Sequence, residues 1–317
     1  MNEIWGSESL NIVWHWPVAL YLFLAGLSSG SMMIALSVEW MNPKRMAPWD
    51  AFVKAGVAIA PISIIIGLIV LVFDLTKPLN FYQLLIHYNF KSVMSLGVLL
   101  LLLYTPLCII YAILRYKELL ESGLLKPIMD FLKVFLDYLE SQSLWIGRIV
   151  FALSAGVGLY TGFLLSAIET YPIFNTPIVP ILFLASGISS GIAACIFFGI
   201  IFFSKEISRE KTKHLLTMDL RVIPIESLLL VTFFIGIYFQ GGKEAIDALT
   251  SLYDGFWSYV FWLGVFGFGI LTPCLIALSA LKNHTYRVGY ILLNAASVMI
   301  GVFILRIFIL YAGQIYY

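Results

Sequence analysis

Long apolar runs separated by short polar segments dominate the pattern of this sequence. A helix needs about 20 apolar residues to cross the hydrocarbon core of a bilayer, and the chain contains eight runs of about this length. Their uninterrupted apolar character excludes membrane β-strands, in which apolar and polar residues alternate. The sequence therefore predicts eight transmembrane helices, near residues 17–40, 51–73, 92–114, 145–168, 178–203, 220–239, 256–281 and 288–311.

The first and the fifth run share a motif. Residues 26–30 read GLSSG and residues 187–191 read GISSG, and LFLA stands just before each. Both are Gly-x-x-x-Gly segments, whose small side chains let membrane helices pack closely. A repeat unit of four helices returns to its starting side, so both halves have the same orientation. We predict an all-α integral membrane protein made of two parallel-repeat four-helix bundles. The predicted divisions are an external segment 1–16, a first bundle 17–168, a second bundle 178–311 and an external tail 312–317.

The charges of the loops predict the orientation. Twelve lysines and arginines lie in loops on one side, whereas Lys77, Lys91 and Lys243 lie on the other. Loops rich in Lys and Arg stay in the cytoplasm, so both termini are expected to face the periplasm or the outside. The longest cytoplasmic loop, residues 115–144, is expected to hold an amphipathic helix at the membrane surface. Its apolar positions are Ile128, Phe131, Leu132, Phe135, Tyr138 and Leu139.

Composition agrees with this class and excludes several functions. Of the 317 residues, 61% are hydrophobic and 12% are charged, and the formal net charge is +1, so no nucleic-acid partner is expected. The three cysteines (Cys108, Cys195 and Cys274) lie far apart in apolar runs, without the spacing of cluster ligands. None of the four histidines lies mid-helix, where a membrane haem b needs its axial ligands. We therefore expect no haem, iron–sulfur cluster or other metal in this chain.

Polar side chains in or near the predicted helices are candidates for chemistry, because burying a charge there costs about 2.5–3.5 kcal/mol on insertion scales. At a rise of about 1.5 Å per residue, Asp219 and Glu226 fall in the inner half of the membrane. The candidates in or beside the outer half are His15, Tyr21, Asp74, Tyr160 and Arg306.

Several of these residues also have a structural explanation. His15 lies between two tryptophans, and it and the tyrosines are compatible with an interfacial aromatic belt. Asp74 is compatible with a solvated helix end. Glu226 and Arg306 fit such explanations least, because their predicted depth makes it difficult for the charges to reach water.

Four segments carry a family resemblance. They are WPVALYLFLAG at 16–26, FDLTKP at 73–78, SVMSLG at 92–97 and YTGFLL at 160–165. The first resembles the opening helix of the NrfD-type quinone-interacting membrane subunits. The others resemble the Leu-Asp-Leu-x-Arg-Pro, Ser-x-Met-Ser-x-Gly and Tyr-Thr-Gly-x-Leu-Leu segments of that family. Lys77 stands where the family has Arg, so the charge is kept but the bidentate geometry is lost.

This resemblance implies a site for menaquinol or menaquinone near the outer face. The histidine and the tyrosine that hold the quinone oxygens in the family correspond to His15 and Tyr160, which are the expected catalytic residues. A nearby asparagine of the family corresponds to Asn11. The expected binding residues are Asn11, His15, Tyr21, Asp74, Tyr160 and Thr161.

The resemblance also implies a proton pathway and partner subunits. Asp219, Glu226 and Arg306 fall where polysulfide reductase-like members of the family keep residues needed for activity. The implied partners are an iron–sulfur subunit with four ferredoxin-like clusters and a molybdopterin subunit, both on the periplasmic side. The complex would oxidise menaquinol and reduce polysulfide or a related sulfur compound.

Two other functional classes remain open at this point. An ion-coupled transporter could use Glu226 and Arg306, and broken helices at mid-membrane would favour it. Pro61, Pro224 and Pro273 can each kink a helix, but paired Gly and Pro residues split none of the runs clearly. A membrane anchor without a quinone site would tolerate substitution of His15 and Tyr160.

Overall fold

A computed structural model describes residues 13–41, 51–75, 78, 82, 86, 89–121, 126–168, 170–203, 209–241, 243–283 and 288–315. Within these residues the chain is helical and has no strand, and eight helices are long and apolar enough to span a membrane. The prediction of eight membrane helices is therefore confirmed. Asn11 and Lys77 lie outside the described residues, as does the side chain of Ile128.

The eight helices agree closely with the apolar runs. They are α1 (Trp16–Trp40), α2 (Ala51–Asp74), α3 (Val93–Arg115), α4 (Ser143–Ser166), α5 (Ile178–Phe203), α6 (Arg209–Gln240), α7 (Gly255–Tyr259, Val260–Leu271 and Thr272–Asn283) and α8 (Val288–Ile315). Helix α6 starts well before the predicted apolar run, because the polar segment ahead of that run continues the same helix. Helix α1 starts after His15 with Pro17 in its first turn, where the absent N–H of proline leaves no intrahelical bond unmade.

Helices α1 and α5 pack against each other through the repeated motif. A Cβ added to Gly30 would overlap the carbonyl group of Gly187, and one added to Gly191 would overlap the backbone of Gly30. The motif serines do not obstruct this contact, because Ser29 donates to Gly26 O (3.0 Å) and Ser190 donates to Gly187 O (2.9 Å). The small side chains therefore allow the backbone approach expected of such motifs.

The remaining helices are arranged around this central pair. In the first group, α1 packs against α2 and α4, and both of these contact α3. In the second group, α5 packs against α6 and α8, and α8 contacts α7. This arrangement fits two four-helix groups that meet at α1 and α5. Helix α7 contains a π-helical segment, Val260–Leu271, and a groove of about 400 Å³ with aromatic and aliphatic walls lies between this segment and α8.

The loop between α3 and α4 contains the predicted amphipathic helix, at Lys126–Ser141. Leu136 packs against Leu114 of α3, and Lys117 donates to Asp137 (2.5 Å) and Glu140 (2.8 Å). Phe131 is 88% exposed, and Leu132, Phe135 and Tyr138 of the predicted apolar face are also exposed. Such an exposed apolar face agrees with a helix that lies on a membrane surface, and its membrane contact remains a prediction.

Candidate functional site

Tyr160 of α4 lies directly against Gly97 of α3. A Cβ added to Gly97 would overlap both the ring and the hydroxyl group of Tyr160. Glycine is therefore required here for close approach, and the tyrosine is 8% exposed. Two segments of the family resemblance thus meet at one point, since Gly97 ends SVMSLG and Tyr160 begins YTGFLL.

Tyr21 lies on α1, which packs directly against α4, the helix of Tyr160. The Tyr21 ring packs beside Gly67 of α2, where an added Cβ would lie 3.4 Å from Tyr21 Cδ2. The Tyr21 hydroxyl is buried and has no hydrogen-bond partner among the described residues. Buried hydroxyl groups are usually paired, so this oxygen is available to a ligand. All four helices of the first group contribute to this region.

His15 and Asp74 lie at the end of the first group that the loop charges place outside. His15 is the N-cap residue of α1, its side chain makes no capping hydrogen bond, and it is exposed. Asp74 ends α2 and is exposed. Tyr21 follows His15 by six positions, which corresponds to about 9 Å along the helix axis. Among the described residues no hydrogen bond joins His15 to Tyr21 or Tyr160.

Thr161 differs from its neighbour Tyr160. It is fully buried, and its hydroxyl donates to Gly158 O at 2.8 Å within α4. The next residue, Gly162, packs so closely on α5 that an added Cβ would overlap the backbone of Pro180. In the YTG segment, the tyrosine thus faces α3 while the glycine faces α5.

The second group of helices contains a separate polar cluster around Asp219. The side chain of this α6 residue is 1% exposed and accepts hydrogen bonds from Ser189 of α5 (3.1 Å) and from Asn294 of α8. Glu226 lies two turns further along α6 and is 5% exposed. The two carboxyl groups expected in a proton pathway are thus both buried on α6.

Arg306 lies between the two groups of helices. It is fully buried on α8, and its Nη2 atom donates to Phe183 O (3.0 Å) and to Ser186 Oγ (2.8 Å) of α5. Its guanidinium group lies 3.6 Å from the centre of the Phe183 ring. Gly26 of α1 leaves room for it, because a Cβ there would lie 3.4 Å from Arg306 Nη2. Arg306 Nε and Nη1 have no hydrogen-bond partner among the described residues.

Several residues of these clusters were not identified from the sequence. Ser189 belongs to the repeated motif, and its counterpart in the first half, Ser28, likewise bonds a residue of its own helix group, Tyr104 (2.8 Å). Asn294 and Gln314 are amides inside or at the end of an apolar run, which is a signal that sequence analysis could have used.

The fold and the buried polar clusters define this protein as a multi-pass helical membrane protein with polar sites between its helices. The chain belongs to the NrfD family, since the family described as "Polysulphide reductase, NrfD" matches residues 7–317. The resemblance found in the four sequence segments is thereby confirmed.

Curated relatives extend over almost the whole chain. The polysulfide reductase subunit designated C in Wolinella succinogenes is 46% identical over 317 residues, which cover 99% of this chain and 99% of that protein. "Protein NrfD homolog" of Haemophilus influenzae is 36% identical, over 96% of this chain and 95% of that protein. "Hdr-like menaquinol oxidoreductase integral membrane subunit" of Archaeoglobus fulgidus is 22% identical, over 84% of this chain and 62% of that protein.

Proposed function

We propose that this chain is the quinol-oxidising membrane subunit of a respiratory oxidoreductase complex, and that its substrate is menaquinol. Membership of the NrfD family supports a quinone-interacting subunit. Similarity to a polysulfide reductase subunit and to a menaquinol oxidoreductase subunit supports the reaction class.

The observation that carries the proposal is the buried Tyr21 hydroxyl, which has no partner among the described residues. Tyr160 belongs to the same helix group, and its ring lies against Gly97. A quinol has an apolar ring and polar oxygens at opposite ends, so its site needs apolar walls and a few placed hydrogen-bonding groups. The region where α1, α2, α3 and α4 pack together supplies aromatic rings and tyrosine hydroxyl groups of this kind.

In this proposal, Tyr160 and His15 hydrogen-bond the two oxygens of the quinol. Oxidation of the quinol releases two electrons and two protons. His15 accepts the proton of the oxygen that it contacts, since histidine changes its protonation state within the physiological pH range, and the proton of the other oxygen passes to water at the same face. Tyr21 donates to the quinol oxygen next to Tyr160, and Asp74 receives the proton from His15 at the exposed end of α2. Asn11 and Thr161 complete the proposed set of quinol-binding residues. Thr161 supports Tyr160 from the same turn of α4.

The electrons leave through partner subunits. We propose an iron–sulfur subunit docked on the periplasmic face, close to the start of α1, and a molybdopterin subunit beyond it that reduces polysulfide or a related sulfur compound. The expected orientation of both termini supports this placement, because it puts His15 and Asp74 on the same side as the partners.

Asp219, Glu226 and Arg306 form the proposed proton pathway. Their burial supports this role, because a buried carboxyl group exchanges protons when a neighbouring charge or hydrogen bond changes. Asp219 lies nearer the cytoplasmic end of α6, and Glu226 lies about 10 Å further along the helix, toward Arg306.

The test is binding of a menaquinone-site inhibitor to the purified complex, followed by fluorescence quenching. We expect wild-type protein to bind it, and His15→Ala and Tyr160→Phe to bind it at least about tenfold more weakly. Tyr290→Phe is the matched control, because Tyr290 is an exposed tyrosine of α8. Unchanged binding in both site variants would assign the chain to the anchor or transporter class instead.

A further inference from the structure

Gln314, near the end of α8, holds the segment that precedes α1. Its Oε1 atom accepts hydrogen bonds from the backbone N–H groups of Val13 (3.0 Å) and Trp14 (2.8 Å). Its Nε2 atom donates to the carbonyl oxygens of Trp14 (3.0 Å) and Leu310 (3.0 Å). The side chain is 2% exposed, and these bonds use the whole hydrogen-bonding capacity of a primary amide.

A second contact restrains the same segment. The ring of Trp14 stacks on Phe174, with 6.3 Å between the ring centres and 18° between their planes. Phe174 is itself fully buried, and a Cβ added to Gly313 would overlap its ring. The backbone of Trp14 is thus held by Gln314, and its side chain by Phe174, which packs on the neighbour of Gln314.

The restrained segment leads directly into His15. His15 O accepts the hydrogen bond of Val18 N–H (3.1 Å) in the first turn of α1. Helix α1 therefore fixes the backbone of His15 from one side, and the Trp14 contacts fix it from the other. The imidazole makes no capping bond and is exposed, so its position depends on this backbone.

We propose that Gln314 is a positioning residue for the quinol site, which acts by fixing the backbone that carries His15. This inference rests on the proposed function, because it gives His15 the role of a quinol ligand. The four hydrogen bonds of the Gln314 side chain act as a clamp, in which three bonds hold this segment and the fourth joins Leu310 of α8. Without the clamp, the segment before α1 would sample several conformations, and ligand binding would have to select one of them. A preorganised ligand group avoids that loss of affinity.

The amide at position 314 is specific for this contact. Glutamate retains the acceptor for the two N–H groups but cannot donate to Trp14 O when ionised. Leucine has a similar size but leaves the backbone groups of Val13 and Trp14 without their partner. We therefore expect a graded effect, with Gln314→Glu closer to wild type than Gln314→Leu.

The experiment is a double-mutant cycle between His15→Ala and Gln314→Leu in the purified complex, measured as the Kd of a menaquinone-site inhibitor. We expect Gln314→Leu to weaken binding about tenfold and Gln314→Glu to weaken it less. In the His15→Ala background, Gln314→Leu should have no further effect, because coupled residues are not additive. Gln240→Leu, at an exposed glutamine that ends α6, is the matched control and should bind like wild type.

Each outcome either supports or overturns the inference. Unchanged binding in Gln314→Leu, or an equal loss with and without His15, would overturn the positioning role and leave the proposed function intact. Failure of the wild-type complex to bind the inhibitor would overturn both. If Gln314→Leu does not assemble, Gln314→Glu is used in the same cycle.

A measurement independent of the quinol completes the test. A spin label at Val13→Cys should move faster in Gln314→Leu than in the otherwise wild-type protein, because two of the four clamp bonds end at Trp14 and one at Val13 itself. Equal mobility in the two proteins would show that Gln314 does not restrain this segment.

Discussion

Gly97 and Tyr160 form a glycine–ring contact in which α3 leaves no room for any side chain at position 97. The hydroxyl of Tyr160 therefore has its position determined by a residue that carries no functional group. This contact links two distant sequence segments to the proposed chemistry, and it makes glycine at position 97 a requirement for the orientation of the tyrosine.

We expect Gly97→Ala to displace the Tyr160 ring and to remove most quinol-dependent reductase activity, while the protein still inserts into the membrane. Steady-state turnover with a menaquinol analogue measures the effect. Gly289→Ala on α8 is the control, since an added Cβ there meets no atom within 4 Å. Full activity of Gly97→Ala would argue against a requirement for this position of Tyr160.

Tyr21→Phe should change stability and function in opposite directions. The hydroxyl of Tyr21 is buried without a partner among the described residues, so its removal should leave the free energy of unfolding unchanged or raise it by up to about 1 kcal/mol. Affinity for a menaquinone-site inhibitor should fall. Thermal unfolding and inhibitor titration of the same preparation test both parts, and a joint loss of stability and affinity would indicate a structural role.

Glu226→Gln should slow turnover at least about tenfold without weakening inhibitor binding, because it removes a proton-exchanging group away from the proposed quinol site. Turnover and Kd are measured on the same purified complex. Glu118→Gln, at an exposed glutamate of the loop between α3 and α4, is the control. Loss of binding in Glu226→Gln would instead indicate that Glu226 and Arg306 support the quinol site itself.

The contact between the two halves should be sensitive to a single methyl group. Gly30→Ala would place a Cβ against Gly187 O of α5, and overpacking of this kind costs about 1–3 kcal/mol. We expect a lower melting temperature in detergent. Gly236→Ala on α6 is the control, because its Cβ would make only an ordinary contact of 3.6 Å with Ile178. Equal melting temperatures would show that the α1–α5 contact can relax.

Docking of the amphipathic helix Lys126–Ser141 should depend on pH. The Lys117 ammonium group holds the pKa of the Asp137 carboxyl below its usual value. A lowered pKa adds stability above the unfolded value of about 3.9, and this stability is lost as the pH falls through the folded pKa. The protection factors of the amides in this helix, which compare observed exchange with the intrinsic rate at the same pH, should therefore be lower at pH about 3 than at pH about 6. Asp137→Asn should show low protection factors at both.

The pair Ser28 and Ser189 illustrates how far the sequence reaches. The repeat predicted that α1 and α5 carry equivalent small-residue surfaces, and these surfaces do meet at Gly30, Gly187 and Gly191. The repeat does not indicate that Ser28 bonds Tyr104 while Ser189 bonds Asp219. Those partners depend on the rotation of α3 and α6 about their axes, which apolar runs in a membrane do not encode.

The sequence by itself determined the class, the number of helices and the family, because helix length and apolar character are local properties matched to bilayer thickness. It also identified Tyr160, Asp219, Glu226 and Arg306 as polar groups that are costly to bury. Only the tertiary structure decided which of them meet. The clamp between Gln314 and Trp14 joins positions 300 residues apart, and contacts at such separation follow from helix packing and not from any local pattern.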